Sequence, residues 1–217
     1  MYCYKIGDIY FIFKTEKYLV ENSNFGLFRI NPDCVETESE KVIFDICSED
    51  SEPDKGLTLI FKCSSYSVYT VSDTEFVKIT NRFDEHEYKC ICRQNESGGE
   101  ISFTNGGYEC LKTTAELFRV IDFVTALLIH DGFVLHASVI EKNGKAYIFT
   151  GPSGIGKSTQ ADLWQKYNGA RVLNGDRVLI RKSSDGKWKA YGFPFCGSSN
   201  CCEDFKLEIG AVFSLKQ

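Results

Sequence analysis

The residues with the clearest chemistry lie at Gly151-Pro152-Ser153-Gly154-Ile155-Gly156-Lys157-Ser158, followed by Thr159. The run satisfies G-x-x-x-x-G-K-[ST] at every fixed position. Glycines at these spacings let consecutive backbone N–H groups turn inward and form a nest for an anion. A helix that starts directly after the loop adds its own unpaired N–H groups and the positive end of its dipole. Lys157 supplies a point charge for the β- and γ-phosphates of a nucleotide, and Ser158 supplies a hydroxyl for Mg²⁺. The run Gly151–Thr159 is therefore expected to bind ATP with Mg²⁺.

Such a loop works only between a strand and a helix, and both are legible. Ala146–Phe149 is a strand-like apolar run, and Thr159–Tyr167 is a helical stretch. Phe133–Ile140 is a second strand, joined to the first by a hairpin turn at Glu141–Lys145. Upstream, Thr113-Thr114-Ala115-Glu116 has the spacing of a capping box. Apolar residues then recur at Leu117, Val120, Ile121, Val124, Leu127 and Leu128, which predicts one helix ending near Gly132. His130 falls at its C-terminal end, where a helix favours a cation.

Residues 1–110 read differently. Ile9–Phe13, Leu57–Phe61, Ser67–Val71, Phe76–Thr80 and Tyr88–Arg93 are expected strands, with a loop at Ser48–Asp54 and a turn at Glu96–Gly99. His86 lies in the charged run Asp84–Glu87, expected to be a solvated loop. The chain therefore divides into a β-rich N-terminal module, 1–110, and a P-loop domain, 111–217, that reads as short at its C-terminal end.

Composition narrows the classes. The 217 residues carry a net charge of −5, with 11 Lys and Arg against 20 Asp and Glu in residues 1–110. An acidic front half argues against a nucleic-acid grip there. No apolar run is long enough to span a membrane, and Met1–Lys5 lacks the pattern of a secretory signal. Ten cysteines without such a signal fit a reducing, cytoplasmic setting better than a disulfide framework. Cys90 and Cys92 share one strand face, and Cys196, Cys201 and Cys202 cluster. None has the paired spacing of a zinc site, so they read as small apolar filler.

Two further residues stand at informative distances from the loop. His136 lies fifteen residues before Gly151, and Asp176 lies nineteen after Lys157, in Asn174-Gly175-Asp176-Arg177-Val178. By itself, Asp176 could simply cap a turn through Asn174-Gly175-Asp176. Only 59 residues follow Ser158, too few for the further strand–helix units of an ordinary doubly wound NTPase.

Over residues 113–200 this combination resembles the HPr serine kinase/phosphorylase family, and most closely its shorter HPr-kinase-like relatives, which are phosphoenolpyruvate-carboxykinase-like P-loop kinases. The resemblance implies an α/β domain with a mixed sheet and flanking helices, behind the β-rich module. It implies transfer of the γ-phosphoryl group of ATP to a serine hydroxyl of a protein or peptide, including a ribosomally made precursor peptide. By position, His136, Lys157 and Asp176 are the implied catalytic residues, and Ser158 and Asp176 the implied Mg²⁺ contacts. It also implies homo-oligomers; the charge and the lack of a long apolar run leave neither nucleic acid nor membrane as an expected partner.

Three departures matter. Gly175 stands where those proteins have the first Asp of a pair. The segment before it is one residue longer. Their downstream acidic Mg²⁺ contact has only Glu203 as a weak counterpart. A small-molecule kinase and an ATP-binding regulatory module without turnover remain alternatives. Gly197-Ser198-Ser199 could approach a ligand or be a plain loop.

Overall fold

Short runs of apolar and β-branched residues recur along the chain, and strands dominate what they build. The computed structural model describes residues 1–50, 56–81, 89–104, 106–197 and 201–216. Among these residues are fourteen strands and four helices, three of the helices no longer than seven residues. The expected α/β kinase domain with flanking helices is therefore corrected: the chain is mostly β, with two mixed sheets. None of the described helices is long and apolar enough to cross a membrane. His86 with its charged run, Tyr88, residues 51–54 and Ser198-Ser199 lie outside the described residues.

Two compact units form. One comprises Met1–Lys5, Ile9–Phe25 and Arg29–Ile129; the other comprises Ile6–Asp8, Gly26–Phe28 and His130–Gln217. In the first, β1 (Tyr2–Ile6), β2 (Ile9–Lys14), β3 (Lys41–Asp50), β4 (Thr58–Lys62), β5 (Tyr66–Thr70), β6 (Phe76–Thr80), β7 (Cys90–Asn95) and β8 (Gly98–Phe103) make one sheet. Its order is β1-β2-β3-β8-β7-β6-β5-β4. Strands β2, β3 and β8 run parallel, and β4 to β8 are joined antiparallel in space. The turn expected at Glu96–Gly99 is confined to Glu96 and Ser97, because Gly98 and Gly99 already pair with Asn95 and Gln94. Ser48–Asp50 extends β3 instead of opening a loop.

After the single turn α1 (Ser23–Gly26), the helix expected from Thr113 to Gly132 proves to be two, α2 (Thr114–Val120) and α3 (Phe123–Ile129). The Glu116 carboxylate accepts from the backbone N–H groups of Thr113 at 2.8 Å and Lys112 at 2.7 Å, so α2 starts where its capping spacing predicts. The break has a cap of its own. Ile121 is extended, and Asp122 accepts from the Thr125 N–H at 3.3 Å and its hydroxyl at 2.6 Å. Sheet side chains take up the backbone groups this frees. Lys78 donates to the carbonyls of Arg119 and Ile121, and Gln94 bonds the Asp122 backbone in both directions. The break shifts the phase of the apolar stripe. Leu117, Val120, Ile121 and Leu127 are buried, whereas Val124 and Leu128 are exposed. The left-handed stop falls at Asp131, and Gly132 begins the next strand.

Both helices group with the first unit, so the division falls after Ile129 and not after residue 110. The reason is aromatic. The buried Phe118 ring meets Tyr4, Phe11, Phe13, Phe25 and Phe123 at centroid separations of 5.1–5.8 Å.

The second unit holds β9 (Gly132–Lys142), β10 (Lys145–Thr150), α4 (Lys157–Asn168), β11 (Arg171–Asn174), β12 (Arg177–Lys182), β13 (Trp188–Tyr191) and β14 (Lys206–Ser214). The β9–β10 turn is just Asn143-Gly144, both left-handed, as a tight hairpin with right-handed strand twist requires. The pairings close into a ring, β9 to β12 to β13 to β14 to β10 and back to β9, with β11 added along β9. One cluster gathers Ala137, Val139, Ala146, Ile148, Leu173, Val178, Ile180 and Ala190. The opposite faces of β9 and β10 present Ile140, Tyr147 and Phe149 to Ala161 and Trp164 of α4. Strand β14 pairs with β10 along its length and with β13 at Lys206–Glu208, so its edge is partly covered.

No cysteine forms a disulfide, and Cys3, Cys90, Cys92 and Cys196 are buried. Burial pushes the Cys92 thiol up to about 12, which suits an inert filler.

Phe118→Ala is expected to destabilise the first unit by about 3–5 kcal/mol, the cost of emptying an aromatic site in a packed core. Urea unfolding followed by circular dichroism measures it, and a loss below about 1 kcal/mol would contradict the aromatic account of the boundary.

Candidate functional site

Alternation along β9 separates the unit's core from its chemistry. Ala137 and Val139 enter the cluster enclosed by the strands, while His136, Ser138 and Ile140 take the face toward α4. Strand β10 carries the chain to Thr150, whose hydroxyl donates to the His136 carbonyl at 3.1 Å. The loop 151–156 then leads into α4. Gly156 is left-handed (φ 101°) immediately before the first helical residue, Lys157. A side chain at Gly151 would bring its Cβ within 2.9 Å of the Leu215 carbonyl oxygen. Packing of Trp164 on Tyr147 and Phe149 holds α4 in place, and left-handed Gly169 ends it.

The N–H groups of Lys157, Ser158 and Thr159 have no carbonyl one turn earlier in the helix to bond. They open on a cavity of about 350 Å³. Ser153, Gly154, Gly156, Lys157, Ser158 and Thr159 line one side of it, and His136, Gly175, Asp176 and Cys196 the other. Six of the nine residues expected to bind nucleotide therefore face the cavity. Gly151 and Pro152 act differently: their carbonyls accept from Lys157 Nζ at 3.1 and 3.0 Å. The buried Lys157 thus braces the loop from inside. Ile155 does not line the cavity; a Cβ added at Gly151 would lie 3.2 Å from its Cγ2. A larger cavity, about 520 Å³, lies in the first unit among Lys14, Asp45, Arg93 and Glu100. Its charges are of mixed sign and it has no glycine loop leading into a helix, so the chemistry favours the smaller one.

Asp176 comes from the turn between β11 and β12. The residue that caps this turn is Asn174, not Asp176. Fully buried, Asn174 accepts through Oδ1 from the N–H groups of Asp176 at 2.9 Å and Arg177 at 3.0 Å. Its Nδ2 donates to the Phe193 carbonyl at 3.1 Å. The Asp176 carboxylate is left for the cavity. One oxygen lies 3.3 Å from His136 Nδ1, and the other 3.3 Å from Arg177 Nε. His136 Nδ1 is also 2.9 Å from the Asp176 carbonyl oxygen. Both neighbours are acceptors, so Nδ1 carries the proton. A Cβ on Gly197 would sit 2.8 Å from the Asp176 Cγ, so the backbone there approaches this carboxylate closely.

Two residues were not foreseen, and one expectation fails. Cys196 lines the cavity. Ser138, fully buried, donates to the Gly175 carbonyl at 3.1 Å, and its oxygen lies 3.4 Å from Ser158 Oγ. Its place two residues after His136 on one strand was the available signal. Glu203 pairs with Arg171 at 2.9 Å and does not line the cavity.

The donors present fit Mg²⁺ carried by a nucleotide. Ser158 and Asp176 offer hard oxygen ligands in one cavity. Mg²⁺ commonly takes one or two protein oxygens and completes its shell with phosphates and water. A dedicated cage is not required, and no group of three His, Cys, Asp or Glu able to hold a metal occurs among the described residues.

The chain matches no protein-family model and no curated protein.

Asn174→Ala leaves two backbone N–H groups and one carbonyl without their buried partner. Stability of the second unit is expected to fall by about 1–3 kcal/mol. Both tryptophans, Trp164 and Trp188, lie in this unit, so fluorescence in urea reads it directly.

Proposed function

We propose that the chain is an ATP-dependent kinase that transfers the γ-phosphoryl group to a serine hydroxyl of a protein or peptide. The observation that carries this reading is the convergence of Lys157 and Ser158 from the first turn of α4, His136 from a strand and Asp176 from a turn on one cavity. The likeness of His136, the Gly151–Ser158 run and Asp176-Arg177-Val178 to the HPr-kinase-like proteins supports it. That likeness rests on these motifs alone, since the expected α/β architecture is not the one built.

The first-turn amides of α4 and the positive end of its dipole bind the phosphates. Lys157 holds the loop in shape and sets its charge behind them. Ser158 and Asp176 would hold Mg²⁺, which neutralises charge on the phosphates when bound. His136, anchored through Nδ1–H, contributes its other ring nitrogen to the phosphate region. The acceptor hydroxyl gives its proton to the Asp176 carboxylate as its oxygen attacks the γ-phosphorus, and ADP leaves. Arg177 and His136 each fix one carboxylate oxygen, so the base is oriented before the acceptor arrives.

A second reading has a specific observation in its favour. Gly175 lines the cavity where the resembling proteins carry a carboxylate, which suits an ATP-binding regulatory module without turnover.

Two measurements separate the readings. Mg²⁺–ATP at about 100 times Kd is expected to add about 2.7 kcal/mol of stability. That is a Tm rise of roughly 5–11 °C at about 2–4 °C per kcal/mol, and Lys157→Ala should abolish it. No rise in the wild type would sink both readings. Asp176→Asn is expected to keep the capacity to bind ATP while slowing transfer of labelled γ-phosphate to serine peptides by about 10²–10⁴-fold. Binding without transfer to any acceptor by the wild type would select the regulatory module.

A further inference from the structure

Ser138 occupies a place that the motif reading leaves unexplained. It is fully buried on β9, between two parts of the cavity wall that come from distant sequence. On one side its oxygen lies 3.4 Å from Ser158 Oγ, in the first turn of α4. On the other it donates to the carbonyl of Gly175 at 3.1 Å, one residue before Asp176. Ser138 therefore spans the hydroxyl and the turn that the proposed function uses to hold Mg²⁺.

The direction of these bonds decides what the residue does. A serine hydroxyl has one proton and two lone pairs. The Ser138 proton is committed to the Gly175 carbonyl, which can only accept. Toward Ser158, Ser138 then offers a lone pair, and the proton in that contact is the one on Ser158. A hydroxyl whose proton points into the wall presents its own lone pairs to the cavity, which is the orientation a cation ligand needs. With Ser138 absent, the Ser158 hydroxyl can turn its proton outward and face a cation with the wrong end.

Resting on the kinase reading above, we propose that Ser138 is a positioning residue that sets the hydroxyl of Ser158 as a Mg²⁺ ligand and ties it to the Asp176 turn. Outer-shell partners of this kind orient the groups that touch the ion. The effect belongs to the ion and not to the phosphates, because Ser138 does not line the cavity and its hydroxyl reaches Ser158 Oγ and the Gly175 carbonyl.

The test measures ATP binding by calorimetry in Mg²⁺ and in EDTA, for the wild type, Ser138→Ala and Ser138→Thr. The wild type is expected to bind more tightly in Mg²⁺. Ser138→Ala should keep the wild-type affinity in EDTA and lose about 10-fold or more of the Mg²⁺-dependent gain. Ser138→Thr, which keeps the hydroxyl, should restore it. Mn²⁺ affinity of the ATP complex, read by electron paramagnetic resonance, should follow the same order. An unchanged Mg²⁺ gain in Ser138→Ala overturns the proposal, and so does an equal loss in Mg²⁺ and EDTA, which marks a merely structural residue. Absence of ATP binding by the wild type in both conditions is the distinct failure of the kinase reading itself.

Discussion

Strand β9 has to satisfy three neighbours and two faces at once, and the second unit is arranged around that requirement. Its first half pairs with β12, and its second half pairs with β10 on one edge and β11 on the other. Because side chains alternate, every residue it spends on the enclosed cluster places its neighbour on the side of α4. Small residues, Ala137 and Val139, fill the enclosed side. His136 and Ser138 are thereby fixed in direction by the packing of the residues between them. A one-residue slip would reverse all of them together. Register in this strand is therefore a condition for the site as much as for the core.

The loop and the turn meet this strand under different constraints. The loop owes its shape to left-handed glycines and to Lys157, whose ammonium bonds carbonyls of the loop itself. The turn owes its shape to one buried amide side chain, Asn174, which satisfies three backbone groups. Cation and carboxylate thus reach the cavity from supports that share no residue. Each support is itself tied to the unit's interior, Asn174 through Phe193 and the helix through Trp164. Preorganisation of this sort leaves little rearrangement for a bound ligand to drive.

Much of this was legible in the residues. The P-loop, the strand before it, the helix after it and the Asn143-Gly144 turn follow from local rules that tertiary context had no reason to override. His136 and Asp176 were legible only through their spacing from the loop. The boundary and the architecture were not. Apolar recurrence from Leu117 to Leu128 reads as one helix, but Asp122 caps a second, and its use depends on Lys78 and Gln94 from the sheet. Phe118 draws α2 to the first unit through rings more than a hundred residues away in sequence, such as Tyr4 and Phe11. No window along the chain contains those partners. Likewise, motifs that resemble those of a kinase family did not specify the sheet, since strand order depends on pairings that a glycine-rich loop does not encode. Ser138 was hidden by its ordinary type in an ordinary strand.

The parallel pairing of β10 with β14 has a kinetic consequence. Lys145 lies opposite Glu208, and Thr150 opposite Ser214, so the strand that feeds the Gly151–Gly156 loop gains this neighbour only across more than sixty intervening residues. Contacts of such separation form late, because the chain between them must lose its freedom first. The hairpin of β9 and β10 can form early and alone, with its Asn-Gly turn as nucleus. Until β14 docks, the stacked rings of Phe149 and Phe213 are apart, and one edge of β10 stays unpaired. During synthesis at about 5–20 residues per second, the interval from Thr150 to Ser214 lasts several seconds. For that time β10 lacks its parallel neighbour, and the nascent chain is open along that edge to misassociation or to capture by a chaperone.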